Sequence, residues 1–452
     1  MKKINILLSG ILIVLTACTK NFLDIKPDKS LVVPQTFQDF QSLLDNTDVM
    51  NINMTSLQEV SDDDYYIKDA SFQSVTVPMY KNAYTWNKDI YAGSPDVLDW
   101  NYRYRQIFYA NLVLEGLAKL NAAQQNDPQF AIEKGSALFY RAYALFQVAQ
   151  LFCKPYLAAT ASNDPGVPIR TSSDINQASS RGTVAQTYAQ IIADLQSSLS
   201  LLPATVTIKT KPNQTAALAM LARVYLGMGN YSDAQHNADA ALNQYPTLLD
   251  YNNLSTTASY PFQRYNSEVI FHSTMISTSM SNVSRLIIDT TLYNTYNTND
   301  LRLKLFFKVS SGVNTYKGSY SSSSTFFNGL TTDELYLIRA ECYARLNNKD
   351  AALSDLNTLL VNRWKTGTFV PYSAASADEA LKIILQERRK ELIYRGLRWT
   401  DLRRLNQDSR FAAILQRNLN GIIYTLPPND PKYVLPIPDL VIQLSGIEQN
   451  SR

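Results

Sequence analysis

Histidine is nearly missing from this chain of 452 residues, which has only His236 and His272. A three-histidine metal centre is therefore excluded within one chain, and Ser-His-Asp catalysis would have to use one of these two. Cysteine is as scarce, at Cys18, Cys153 and Cys342, and no Cys-x-x-Cys pair occurs. There is no Gly-x-Ser-x-Gly elbow and no phosphate-binding loop. Gly227-x-Gly229 follows a helical stretch rather than a strand, so it fails as a dinucleotide fingerprint. An excess of one charge is lacking too. The 42 basic and 39 acidic residues leave +3, no footprint for nucleic acid. A carboxylate pair is a catalytic device that the sequence alone does not exclude.

Two features stand out in what is present. The first is the amino-terminal stretch. Met1-Lys2-Lys3 precedes an apolar run from Ile4 to Leu15, too short to span a bilayer, which takes ~20 residues. It has the dimensions of a signal peptide over residues 1–17. Leu15-Thr16-Ala17-Cys18 resembles a bacterial lipobox, which makes Cys18 the expected site of lipidation. Two or more acyl chains on it would anchor the chain to a membrane. The second feature is tyrosine, with 28 copies. Its ring offers an apolar face and its hydroxyl a polar end, a pairing suited to sugars.

Along the chain, 18–34 reads as an extended leader and 35–44 as a short helix. Residues 51–91, rich in Asp, Asn, Ser and Tyr, read as loops with short strands at most. Helical spacing predicts helices over 101–120, 133–152 and 183–202. At 211–246 the positions of Ala222, Tyr225, Gly229, Tyr231, Ala234, Ala238 and Ala241 fit a tetratricopeptide-type helix pair. A second copy starts near Thr331, with Ala340, Tyr343, Ala352, Leu356 and Leu359. The expectation is an all-α dominated fold, one domain over 18–452. Helical repeats occupy 99–246 and 331–405, and a loop-rich insertion separates them at 247–330. A further helix runs 378–405, interrupted at Gly396. Prolines 427, 428, 431, 436 and 438 make 420–452 an extended closing strap.

Few residues look chemically pointed. His236 and His272 read as solvated or packed side chains. Asp62-Asp63-Asp64 lacks the glycine and closing glutamate of a calcium loop and reads as a solvated acidic turn. Glu387, Glu391 and Arg395 fall on one helix face and predict i, i+4 pairing, or contact with another segment. Cys153 and Cys342 lie in apolar helices and read as packed thiols.

Several motifs stand in one order. Asn21-Phe22-Leu23-Asp24 follows Cys18. Trp100, Tyr104, Ile107, Ala110 and Asn111 mark the first helix. Asn299-Asp300-x-Arg302 precedes Arg339-Ala340-Glu341-x-Tyr343. Glu387-Arg388-x-x-Glu391 leads into Gly396-x-Arg398-Trp399-x-Asp401, and Leu435-Pro436-Ile437-Pro438 leads to Gln449-Asn450. Together they resemble the SusD/RagB family of surface lipoproteins. The resemblance implies about four tetratricopeptide-like helix pairs with a loop-rich face. It also implies a lipid-anchored position on the outer surface of the outer membrane of a Bacteroidetes-type cell. The implied partner is a SusC-like TonB-dependent transporter, and the implied ligand is a glycan or, alternatively, a peptide. No enzyme activity, cofactor or metal is expected, the less favoured alternative being a surface glycoside hydrolase. Family ligand residues do not transfer by motif, so candidates come from chemistry. They are Tyr84, Trp86, Asn87 and Tyr91 in the first loops, with Tyr293, Tyr296, Tyr316 and Tyr320 in the insertion, each able to stack on or bond a sugar ring. Trp100, Trp364 and Trp399 sit in helical motifs and read as structural.

Overall fold

The computed structural model describes residues 34–452; the expected signal peptide, Cys18 and nearly all of the expected leader lie outside them. Helices dominate. A short first helix, α1 (Phe37–Leu44), is closed by a capping box between Thr36 and Asp39. The repeats follow as α2 (Leu98–Ala118), α3 (Pro128–Phe152), α4 (Val184–Leu201), α5 (Gln214–Gly227), α6 (Tyr231–Gln244), α7 (Thr332–Arg345), α8 (Lys349–Leu360), α9 (Ala377–Glu391) and α10 (Arg398–Leu405). From α2 to α9 each packs on the one before it, as a solenoid of helix pairs does.

Side-chain size explains the stacking. On α5 and α6, Ala216, Ala219, Ala222, Ala234, Ala238 and Ala241 are all buried. Small residues at these positions let the two helices approach closely. Gly229 turns the chain between them at φ +72°, and Asn230 then caps α6. Helix α3 is buried on every side from Gly135 to Ala149, which places it at the centre of the molecule.

The carboxyl end of α3 is closed from far away. Arg403 donates to the carbonyls of Gln150 and Cys153. Asn450 Nδ2 donates to Phe152 O at 2.9 Å and Leu435 O at 2.8 Å. Carbonyls that the helix leaves unpaired are thereby satisfied by side chains.

The loop-rich segments fold into short antiparallel strands: β1 (Tyr65–Tyr66), β2 (Pro165–Pro168), β3 (Arg181–Thr183), β4 (Val269–Phe271), β5 (Ile287–Ile288), β6 (Phe307–Ser310), β7 (Val313–Tyr316), β8 (Leu330–Thr331), β9 (Leu415–Leu419) and β10 (Ile422–Leu426). A four-stranded sheet in the order β1-β5-β7-β6 ties the first loops to the insertion.

Two expectations need correction. Residues 51–91 contain short helices at Leu57–Ser61, Asp69–Gln73 and Pro78–Tyr84. The first is held by Asp99 of α2, whose carboxylate accepts from the amides of Ser56 (2.5 Å) and Leu57 (2.9 Å). A cap supplied from another helix leaves no local signature. The tail is not purely extended either. It begins in the β9–β10 hairpin and later forms a helix at Asp439–Ser445, started by Pro438, since proline is tolerated where a helix begins.

Candidate functional site

Most of the candidate aromatics turn inward. Trp86 is 2% exposed, and its Nε1 donates to Ser61 O at 2.8 Å. The guanidinium of Arg417 lies 4.7 Å from its ring centroid and 3.5 Å from that of Tyr84. Tyr84 Oη accepts from the Ile67 amide, and Tyr91 Oη donates to Pro436 O. Tyr296 donates to Lys390 O at 2.8 Å. Tyr316 packs on Tyr394, and Tyr320 donates to the Glu268 carboxylate at 2.5 Å beneath Arg395. Tyr84, Trp86, Tyr91, Tyr296, Tyr316 and Tyr320 are thus interior residues, a correction to their placement on an exposed stacking face. The polar ends of Tyr84, Trp86, Tyr91, Tyr296 and Tyr320 find partners inside. Asn87 is exposed and Tyr293 half-buried; these two reach the surface. Replacing Trp86 by alanine is expected to cost about 3–5 kcal/mol of stability, as emptying a core site does, with the midpoint of urea unfolding as the readout. A variant as stable as the parent would show that the ring is not needed for packing.

Behind these rings lies a buried ionic network. Arg302 pairs with Asp300 (2.7 Å), Glu387 (2.6 Å) and Glu391 (3.0 Å). Arg363 joins Glu391 and Glu268, each at 2.7 Å. Arg395 pairs with Asp333 at 2.9 Å. Besides the Glu387–Lys390 pair (2.7 Å) within α9, the carboxylates of α9 therefore bond other segments, rather than Arg395, which lies past the end of α9. Burial pushes Glu268 up to about 7 against the pull of Arg363.

The Asp62–Asp64 turn is also interior, a second correction: Asp62 and Asp64 are buried. Arg398 and Arg389 clamp Asp63 at 2.6 and 3.2 Å, and Arg389 also bonds Asp64 at 2.9 Å. Next to them Glu59 is pushed up to about 8, first by burial and then by the charge of Asp64. Glu59 accepts from the amide of Gly396 at 2.9 Å. That glycine sits at φ +69°, and a Cβ there would meet Gln58 at 2.9 Å, so the α9–α10 joint admits no larger residue without a shift. Among the described residues, no cluster of three or more His, Cys, Asp or Glu has metal-holding geometry.

His272 is buried edge-on between Tyr265 and Phe327. Burial, then the charge of Arg264, pushes it down to about 3. His236 is exposed on α6. Neither histidine has a carboxylate hydrogen-bond partner among the described residues, so neither is set up as a general base.

The open space lies elsewhere. A cavity of about 460 Å³ opens beside the capped end of α3, between the 154–165 segment, α10 and the tail. Pro155, Pro165 and Pro431 line it, with the buried Tyr433 at its floor. The sequence marks both proline segments as helix breakers, yet nothing in it says that they meet. A smaller cleft of about 180 Å³ runs along α2 beside Trp100, Tyr104 and Phe108.

Two family models match the chain. One, described as "Starch-binding associating with outer membrane", covers residues 21–226. The other, described as "SusD family", covers 202–451. Among solved structures, a SusD superfamily protein from Bacteroides thetaiotaomicron is 24% identical with a TM-score of 0.74, over 92% of this chain and 100% of that one. A putative sugar binding protein from Bacteroides vulgatus is 23% identical with a TM-score of 0.73, over 92% and 99%. A SusD superfamily protein from Bacteroides fragilis gives 21% and 0.73, over 92% and 99%. At these identities the likeness speaks to the fold. No curated protein matches the chain.

Proposed function

The chain belongs to the SusD family, and on that premise we propose that it is a lipid-anchored protein of the outer-membrane surface that binds a nutrient glycan and passes it to a SusC-like TonB-dependent transporter. What carries this reading is the pair of family matches, which together run from residue 21 to 451, one described as starch-binding and outer-membrane-associated. The side chains fit a protein that holds rather than cuts. A glycosidase needs two free carboxyl groups facing each other across a cleft, and the acids of the interior network are bonded to arginine. Cys18 would carry the lipid. Asn87 and Tyr293, the candidates that reach the surface, remain proposed ligand contacts.

The test is a binding titration of the full chain in detergent against neutral glycans, acidic glycans and short peptides, with product analysis over time. Saturable glycan binding without product release is expected. Sustained release would sink the binding-only reading, and binding of peptides alone would change the ligand class. Co-purification with a TonB-dependent transporter from the native membrane, lost when Cys18 is replaced by alanine, would test the anchored partnership.

A further inference from the structure

We propose that the cavity beside the end of α3 is a second, separate binding site of this protein, for a neutral, hydroxyl-rich ligand with an apolar face, the chemistry of an oligosaccharide end. The proposal rests on the nutrient-binding reading and adds where a sugar binds and of what charge.

The volume, about 460 Å³, falls within the ~300–1,000 Å³ of small-molecule sites. The floor is rigid. Tyr433 packs at a tilt on Trp399 with ring centroids 4.7 Å apart, and Arg403 is pinned to the α3 carbonyls.

Charge at the walls selects the ligand. Lys154 is occupied by Asp164 at 2.7 Å, and Arg403 by backbone. These are the only lysine and arginine among the residues that line the cavity, and each already has a partner. The Glu448 carboxylate has no ion-pair or hydrogen-bond partner among the described residues and stands exposed at the rim. It is an acceptor suited to hydroxyl groups. Gln407 and Asn429, joined by an amide–amide hydrogen bond at 2.5 Å, add donors and acceptors on the same rim. Pro155, Leu157 and Pro431 offer the C–H faces of a sugar ring an apolar surface.

The experiment is calorimetric titration of the detergent-solubilised full chain with neutral gluco-, xylo-, manno- and galacto-oligosaccharides. Acidic galacturonate oligomers and short peptides are run beside them. Leu157→Trp fills the cavity from its rim, and Glu448→Ala removes the acceptor. Asn87→Ala and Tyr293→Ala report on the loop face. A neutral sugar whose affinity falls about tenfold or more in the first two variants, as loss of a charge-assisted hydrogen bond or of space demands, is the expected result. A neutral sugar that binds all variants equally, or loses affinity only in the loop-face variants, overturns the cavity site and leaves the nutrient reading standing. Binding of acidic glycans or peptides alone overturns the charge selection. Binding of nothing overturns both readings. Should Leu157→Trp fail to fold, Glu448→Ala decides alone.

Discussion

Replacement of Glu391 by alanine is expected to lower the unfolding free energy by about 3–5 kcal/mol, the usual cost of breaking a buried ion pair by removing one partner. The reason is the geometry around it. One carboxylate oxygen accepts from Arg363 Nε at 2.7 Å and the other from Arg302 Nη1 at 3.0 Å. Both arginine side chains have no exposed surface. Alanine leaves two buried guanidinium groups short of an acceptor, although Asp300 and Glu387 still hold Arg302 and Glu268 still holds Arg363. Glutamine keeps the shape and one acceptor, so Glu391→Gln is expected to fall between parent and alanine variant. Pairing Glu391→Ala with Arg363→Met should recover part of the loss, because replacing both partners by apolar groups costs less than orphaning one. Urea unfolding of the set measures this. A loss under ~1 kcal/mol for Glu391→Ala would mean that the network does not hold the insertion to α9.

The second expected effect depends on pH and centres on Glu59. Its folded pKa is about 8 against an ordinary value of 4.5. In that window the folded chain keeps a proton that the unfolded chain releases. The stability it contributes is complete below pH 4.5 and is lost as pH rises through 8, by at most about 1.4 kcal/mol per pH unit. Glu268, raised to about 7, acts with the same sign. His272 acts with the opposite sign. Its folded pKa of about 3 lies below the ordinary 6.5, so its contribution is present above pH 6.5 and lost as pH falls toward 3. Glu59→Gln removes one titration while keeping an acceptor for the Gly396 amide. The variant should lose less stability than the parent between about pH 5 and pH 8. Urea midpoints across that range measure it, and parallel curves for the two proteins would refute the assignment.

The long helices were legible because periodicity accumulates over many turns. Ala222, Ala234 and Ala238 mark the α5–α6 pair by their spacing alone, and the break at Gly396 shows as a glycine in a helical run. The short helices of 51–91 were not, since each spans too few turns and one depends on Asp99 for its start. The candidate site was read less well for a chemical reason. A tyrosine suited to a wet sugar surface is also suited to an interior where its hydroxyl meets a carbonyl or carboxylate. Tyr296 on Lys390 O and Tyr320 on Glu268 took the second course. Composition cannot separate the two cases. The cavity was legible only in halves, as prolines near 155–168 and near 427–438, because their meeting is a property of the tertiary fold.

The closure of α3 by Asn450 also has a bearing on time. Asn450 lies 298 positions beyond Phe152, so the ribosome adds it long after the central helix has been made. Until then the last turn of that helix lacks one of the groups that terminate it, and Arg403 too arrives only late. Contacts so distant in sequence slow folding. The tail thus works as a final latch on the central helix.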